Sequence, residues 1–377
     1  MNAAPVEHLD RRHAALVSQL TSVPVDALLV THRPNISYLT HFTGSAGWLL
    51  VEAEQLTLVS DARYSSVLLD LAHTVSRLEV EILVPGAQSV EERVASLVAA
   101  RAPMRLGFEA SSLTVNQHQG LLKRCQAVGA EVTLVSVEEA VEGLRQLKDP
   151  WEMAILREAG RRLSDVSKCI IPNALTGVPE RRLAALIEWE LRQKGFDKPA
   201  FDTIVAAGPN AALPHHRAGD RVLGTGDLVV VDFGGMYRGY AVDMTRTLTI
   251  GPPGARQASC LEAVAAAQQA AFAASRVGVM AEDVDRAART VLENRGMGEA
   301  FSHGLGHGLG LEVHERPRLA RSRPGMPSVP LAAGMVFTLE PGVYYPGWGG
   351  VRIEDDVVAT ESGPEWLTEP MTEVRAS

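Results

Sequence analysis

Cysteine is scarce in this chain. The 377 residues include three, Cys125, Cys169 and Cys260, with no CxxC spacing among them. A disulfide framework and a zinc-thiolate site are therefore excluded, and the simplest reading is three small buried residues. Long apolar runs are also missing. No window approaches the roughly 18 apolar residues that span a bilayer. Residues 1–20 carry Glu7, Asp10, Arg11, Arg12 and His13 where a signal peptide would have its apolar core. A cytoplasmic location is expected. Nor is there an excess of positive charge: 36 Lys and Arg against 45 Asp and Glu give a formal net charge of -9. That balance supports neither a nucleic-acid partner nor a membrane surface. Tandem repeats and low-complexity tracts are absent.

What is present suits a large globular protein. A 46% hydrophobic content over this length suffices for a sizeable core and favours two domains. Up to about residue 140, short apolar strands alternate with helical stretches. Strands are expected at 27–30, 48–51 and 55–60, the last two as a meander, and again at 79–84, 106–109 and 131–135. Helices are expected at 65–73 and 89–100. Nothing in this part clusters catalytic residue types.

The join falls near Leu147-Lys148-Asp149-Pro150, where Asp149 can cap a helix and Pro150 suits its first turn. That helix is expected over 151–171. A second opens around 176–180 and ends at Gly195, and two more cover 258–274 and 281–294. Strands are expected at 228–232, 241–250, 335–340 and 350–360.

Acids stand out against these apolar strands. Asp232 closes the run Leu228-Val229-Val230-Val231. Eleven residues later, period two puts Asp243, Thr245 and Thr247 on one face, with Val242 and Met244 on the other. Tyr237-Arg238-Gly239 is turn-like, so a hairpin can join the two acids. A second pair repeats the pattern: Glu340 ends 335–340, and Glu354 shares a face with Arg352. Ionised carboxylates in apolar surroundings cost several kcal/mol each and repel one another. They need cations, and two divalent ions would balance four of them.

A third element carries histidines. In Phe301–Glu315, His303, His307 and His314 are interleaved with glycines at 304, 306, 308 and 310. Alternating glycines oppose a helix and permit close backbone approach. The segment is not GxGxxG, whose third glycine is missing in either register. Nor is it HExxH, since Arg318 stands where the second histidine would be. His215 and His216 end a further glycine- and alanine-rich loop, 207–216, too apolar for a plain solvent turn.

Together these segments resemble a known family, the creatinase/prolidase-type metallopeptidases, which include aminopeptidase P, Xaa-Pro dipeptidase and methionine aminopeptidase. The matching residues are Phe201-Asp202-Thr203-Ile204-Val205 through Pro214-His215, Asp232 with Asp243, His303 to His307, and His314-Glu315. Thr338-Leu339-Glu340-Pro341-Gly342 and Arg352-Ile353-Glu354-Asp355 complete them. Asn35 to Leu39 and Asp61 to Tyr64 are weaker markers of the prolidase and aminopeptidase P branch.

The resemblance implies an α/β (α+β) chain. Residues 1–145 would form a creatinase-like α/β domain, and 146–377 a pita-bread catalytic domain with pseudo-twofold symmetry. It implies two divalent metals held by Asp232, Asp243, His307, Glu340 and Glu354, with Asp243 and Glu354 bridging both. Mn²⁺ suits one imidazole among carboxylates; Co²⁺, Zn²⁺ and Fe²⁺ also fit. An activated water would be the nucleophile and Glu340 its proton acceptor. His215 and His314 would hydrogen-bond the scissile peptide, with His303 lining the pocket. Arg352 and Thr245 would orient the carboxylates from behind. The expected reaction is hydrolysis before proline in a small peptide, by a dipeptidase first and an aminopeptidase P second. The third reading is a scaffold that keeps the fold and its metals without peptidase activity. Arg316, Arg318, Arg321 and Arg323 are candidates for a dipeptide's carboxylate. Arg316 replaces an expected aromatic, and His216 a small residue. A homodimer is the expected assembly.

Overall fold

The computed structural model describes residues 4–84 and 86–370. The chain divides into two compact units, Met1–Arg145 and Gln146–Ser377. The first holds a six-stranded sheet of β1 (Ala27–Val30), β2 (Trp48–Val51), β3 (Leu56–Asp61), β4 (Leu78–Leu83), β5 (Met104–Glu109) and β6 (Val132–Val137), in the order β4-β3-β2-β1-β5-β6. The expected meander joins β2 to β3, and the other contacts are antiparallel at β1–β2 and parallel elsewhere. Helices α3 (Ser65–Thr74) and α4 (Val90–Ala100) lie where expected. Helices α1 (Val6–Leu20), α2 (Arg33–Thr40), α5 (Val115–Ala127) and α6 (Ala140–Arg145) were not anticipated.

The second unit begins with α7 (Pro150–Ile170). The Asp149 carboxylate accepts from the backbone N–H groups of Trp151 and Glu152, and Glu152 accepts from Asp149 in return. Helix α8 (Glu180–Gln193) starts later than expected, because 177–179 pairs with 222–223 instead of coiling. Gly195 ends it at φ +84. Strands β7 (Lys198–Pro199), β8 (Ile204–Ala207), β9 (Leu228–Tyr237) and β10 (Tyr240–Thr249) form one sheet.

Strand β9 runs five residues beyond Asp232, so that residue lies mid-strand and not at its end. Beyond the expected end at 232 the strand continues through Phe233-Gly234-Gly235, where the glycines make room: a Cβ on Gly235 would lie 2.3 Å from the Phe196 ring. Arg238 and Gly239 turn the hairpin at φ +52 and +85, the left-handed pair a two-residue turn of this hand requires.

Helices α9 (Ala255–Ala274) and α10 (Ala281–Asn294) precede a second sheet. Its strands are β11 (Gly306–Gly308), β12 (Glu315–Leu319), β13 (Val336–Leu339), β16 (Asp355–Thr360) and β17 (Gly363–Trp366). A separate hairpin, β14 (Gly342–Tyr345) with β15 (Gly349–Arg352), lies between β13 and β16 in sequence. The single strand expected over 350–360 is thus two strands, broken at Ile353-Glu354. Each helix pair backs one sheet. Leu156, Leu163 and Ile187 pack on Val229, Val242 and Met244, while Leu261, Val264 and Val284 pack on Phe337, Leu339 and Val357. Cys125 and Cys260 are buried as expected, but Cys169 is half-buried. Among the described residues no helix is long and apolar enough to cross a membrane.

Candidate metal centre

Strand alternation does most of the placing. With Val229, Val231, Val242 and Met244 turned into the helix-backed core, Asp232, Asp243 and Thr245 face the other way. The register sets Thr245 opposite Asp232 and Asp243 opposite Gly234. Glu354 comes from the break between β15 and β16, where its N–H donates to the Thr245 carbonyl at 3.1 Å. The Thr245 hydroxyl then donates to Glu354 Oε2 at 2.6 Å and accepts from Arg352 Nε at 3.2 Å. One threonine so ties the hairpin of the first sheet to the second acid pair.

His307 sits on β11 between two glycines. A Cβ on Gly306 would be 2.0 Å from the Thr338 carbonyl oxygen, and one on Gly308 2.1 Å from that of Arg316. No other residue lets the strand come this close to its neighbours. His307 Nδ1 donates to the Gly308 carbonyl at 3.0 Å, which leaves the Nε2 lone pair free to bind a metal. Nε2 lies 3.7 Å from Glu340 Oε1. Asp243, His307 and Glu354 each offer a ligand atom within 4.8 Å of the others.

The electrostatics call for cations. Burial, then repulsion from Glu354 and Asp232, raises the Asp243 carboxyl well above the usual range. Burial and Glu354 do the same to Glu340. Glu354 is pushed up to about 8 by burial and Asp232, against the pull of Arg352 and Thr245. Among the described residues, Arg352 is the one guanidinium on these acids, with Nη2 donating to Asp232 Oδ2 at 2.5 Å. Arg246 is held elsewhere, on Asp355 at 2.7 Å and on the Glu354 carbonyl at 2.7 Å. Ionised together, four carboxylates against one guanidinium would leave three negative charges unmatched. The other oxygen of Asp232, Oδ1, is buried with no hydrogen-bond partner. A buried, unpartnered carboxylate oxygen beside an imidazole lone pair and two more carboxylates fits divalent cations. Burial also depresses His307 to about 4, keeping its ring neutral as a ligand must be.

These groups line a cavity of about 880 Å³, with His215, His303, His314 and Arg318 also on its wall. The rings of His314 and His307 lie 4.1 Å apart. His303 lines the cavity, but both its nitrogens are engaged. Nδ1 donates to the Gly304 carbonyl at 2.8 Å, and Nε2 accepts from the Tyr344 hydroxyl at 3.0 Å. Tyr344 in turn accepts from Arg352 Nη1 at 3.0 Å. A chain of contacts therefore runs from Asp232 through Arg352 and Tyr344 to His303. Sequence reasoning missed Tyr344, although period two from Glu340 places it on the same side. Of the four arginines after His314, Arg318 reaches the cavity because it pairs with His307 across β11 and β12. Arg321 instead pairs with Glu293 at 3.5 Å on the surface. Asp202 and His216 also line the cavity.

The comparisons agree with this geometry. Residues 154–361 match the description "Metallopeptidase family M24", and 12–147 match "Creatinase/Prolidase N-terminal domain". The chain is similar to an Xaa-Pro dipeptidase of Pyrococcus horikoshii, 34% identical over 351 residues that cover 93% of this chain and 94% of that one. Its fold is similar to the solved Xaa-Pro dipeptidase from Bacillus anthracis, with a TM-score of 0.90 at 32% identity over 98% of this chain and 100% of that one. It is also similar to X-Pro aminopeptidase from Thermotoga maritima, with a TM-score of 0.84 at 30% identity over 96% and 99%. The creatinase-like and pita-bread architecture expected from the sequence is thus the fold of the chain.

Proposed function

Since the chain belongs to metallopeptidase family M24 and is a hydrolase, we propose that it hydrolyses the peptide bond before proline in small peptides, as an Xaa-Pro dipeptidase. The observation that carries the reading is the convergence of Asp243, His307 and Glu354 within 4.8 Å. Five residues, Asp232, Asp243, His307, Glu340 and Glu354, would hold two divalent ions, with Asp243 and Glu354 shared. One nitrogen among carboxylate oxygens suits Mn²⁺ ahead of Co²⁺, Zn²⁺ or Fe²⁺. When bound, the pair of ions supplies Lewis acidity that activates water and offsets negative charge on the scissile carbonyl.

The chain's own groups do the rest. Glu340 accepts the proton from water and passes it to the leaving nitrogen. His215 and His314, on the cavity wall, donate to the carbonyl oxygen as charge develops there. Thr245 and Arg352 hold Glu354 and Asp232 at fixed angles. His303 lines the cavity and acts through Tyr344 on Arg352. A bond to proline has no N–H, so a site that grips the carbonyl side loses nothing by its absence. Arg318, cross-strand from His307, would take the free carboxylate of a dipeptide.

The second reading is an aminopeptidase acting on longer peptides, favoured by the similarity to X-Pro aminopeptidase from Thermotoga maritima. A cytoplasmic homodimer belongs to the same proposal. Three free cysteines suit a reducing compartment. Hydrolysis of Ala-Pro and Ala-Pro-Ala, with Mn²⁺ and with chelator, decides between the readings. The dipeptidase cleaves Ala-Pro alone, and an aminopeptidase cleaves the tripeptide. Loss of neither peptide despite bound metal would overturn both and leave a scaffold.

A further inference from the structure

Glu180 is fully buried at the start of α8, far in sequence from any group assigned above. Its carboxylate is saturated. Oε1 accepts from Ala207 N at 2.8 Å and Asn210 Nδ2 at 2.9 Å. Oε2 accepts from His216 Nε2 at 2.8 Å and Gly219 N at 3.0 Å. A carboxylate has about four lone-pair sites, and here each meets a donor. Burial pushes the Glu180 carboxyl up, but these donors outweigh it and hold the group below its usual range, hence ionised.

The four donors belong to one segment, 207–219, the loop that carries His215. Within it, Leu213 N bonds to Asn210 O and His216 N to Leu213 O. Asn210 and His216 thus cap two successive turns, and both side chains return to the same carboxylate. On the metal side, Arg352 Nη1 donates to the Pro214 carbonyl at 3.5 Å. His215 is suspended between two anchors: Pro214 on Arg352, and His216 on Glu180.

We propose that Glu180 and His216 form a positioning pair that fixes His215 for its contact with the substrate. The sequence hinted at a special role for this position, since a histidine stands where a small residue is common. A small residue cannot make the bond. The proposal rests on the assignment of His215 as a donor to the scissile carbonyl.

The test uses the full Mn²⁺-loaded enzyme with Ala-Pro. His216→Phe keeps a ring but removes the donor, and His216→Gln restores an N–H of similar reach. For His216→Phe we expect kcat to fall about 10-fold or more, with KM within two-fold of wild type and unchanged metal content by mass spectrometry. His216→Gln should recover most of that loss. His215→Ala should lose roughly 10²-fold or more, as removal of one such donor does. The double variant His215→Ala/His216→Phe should be no slower than His215→Ala alone, because the second change acts only through the first. Glu180→Gln, which turns an acceptor into a donor facing backbone N–H groups, should match His216→Phe; if it fails to fold, the His216 pair still decides. Full kcat in His216→Phe, metal loss in that variant, or multiplied losses in the double variant would overturn the pair's role while leaving the reading of His215 intact. Wild-type kcat in His215→Ala would refute that reading, and the proposal with it.

Discussion

Removing the metals should make stability fall as pH rises above neutrality, and the acid cluster sets the size of the effect. Glu354 is pushed from its ordinary 4.5 up to about 8 when only protein surrounds it. A raised carboxyl holds a proton that the unfolded chain has already released. Its contribution is therefore complete below pH 4.5 and lost as pH rises toward 8. Opposing groups titrate lower down. His303 and His307 are depressed from 6.5 to about 4, so their contribution grows up to pH 6.5 and then stops. Glu142 and Glu158, drawn down to about 2, are constant above pH 5. Between pH 6.5 and 8 those histidines and glutamates no longer contribute to the slope, and raised carboxyls, Asp356 beside the cluster among them, set it.

At 1.36 kcal/mol per pH unit, Glu354 by itself removes about 2 kcal/mol across that window. Asp243 and Glu340, raised in the same direction, steepen the fall. For a unit of this size, about 2 kcal/mol lowers the melting temperature by roughly 4–8 °C. With Mn²⁺ bound the carboxylates stay ionised, and the proton-linked loss disappears. Calorimetry of chelated and Mn²⁺-loaded protein at pH 6.5, 7.25 and 8 should show melting temperatures that diverge as pH rises. A chelated protein whose melting temperature stays level or climbs, or two curves that fall in parallel, would refute the electrostatic reasoning.

Asp243→Asn and Glu354→Gln should each abolish retention of the metal pair and lower Ala-Pro hydrolysis at least 10³-fold; full turnover in either would remove its bridging role. Arg352→Lys keeps the charge but not the fork that meets Asp232, Thr245 and Tyr344, so metal affinity should drop about 10–100-fold by titration. Arg318→Ala should raise KM for Ala-Pro about 10–100-fold, the loss of a charge-assisted hydrogen bond, and leave Ala-Pro-Ala unaffected. Equal effects on both peptides would argue against carboxylate binding. Gly306→Ala forces a Cβ to within 2.0 Å of the Thr338 carbonyl, and should cost the protein its His307 ligand, seen as metal loss in dialysed samples.

The candidate acids were legible because an acid on a run of buried apolar residues has few solutions, and period two says which acids share a face. Asp232, Asp243, Glu340 and Glu354 stand out on that argument alone. Joining His307 to them needed the family resemblance as well. Partners contributed by distant segments were not legible. Tyr344 and Glu180 look ordinary in sequence, and their roles come from three-dimensional contacts with Arg352, His303 and the 207–219 loop. The strand end expected at 232 fell short, because Gly234 and Gly235 allow the close approach of Phe196 and the strand continues to Tyr237. In the first unit, α2 begins with Arg33-Pro34-Asn35 and was not anticipated, although Pro34 in its first turn is compatible with a helix start. Helix α5 is polar and interrupted by Gly120, which hid its periodicity. Its Thr114–Gln117 capping box was an available signal.

The most direct test is a crystal of the protein soaked in Mn²⁺ and measured at the manganese absorption edge. Two anomalous peaks roughly 3.5–4 Å apart, both touching Asp243 and Glu354, with Asp232 on one and His307 and Glu340 on the other, are the predicted result. A single peak, or peaks held by other residues while these acids remain protonated, would contradict it.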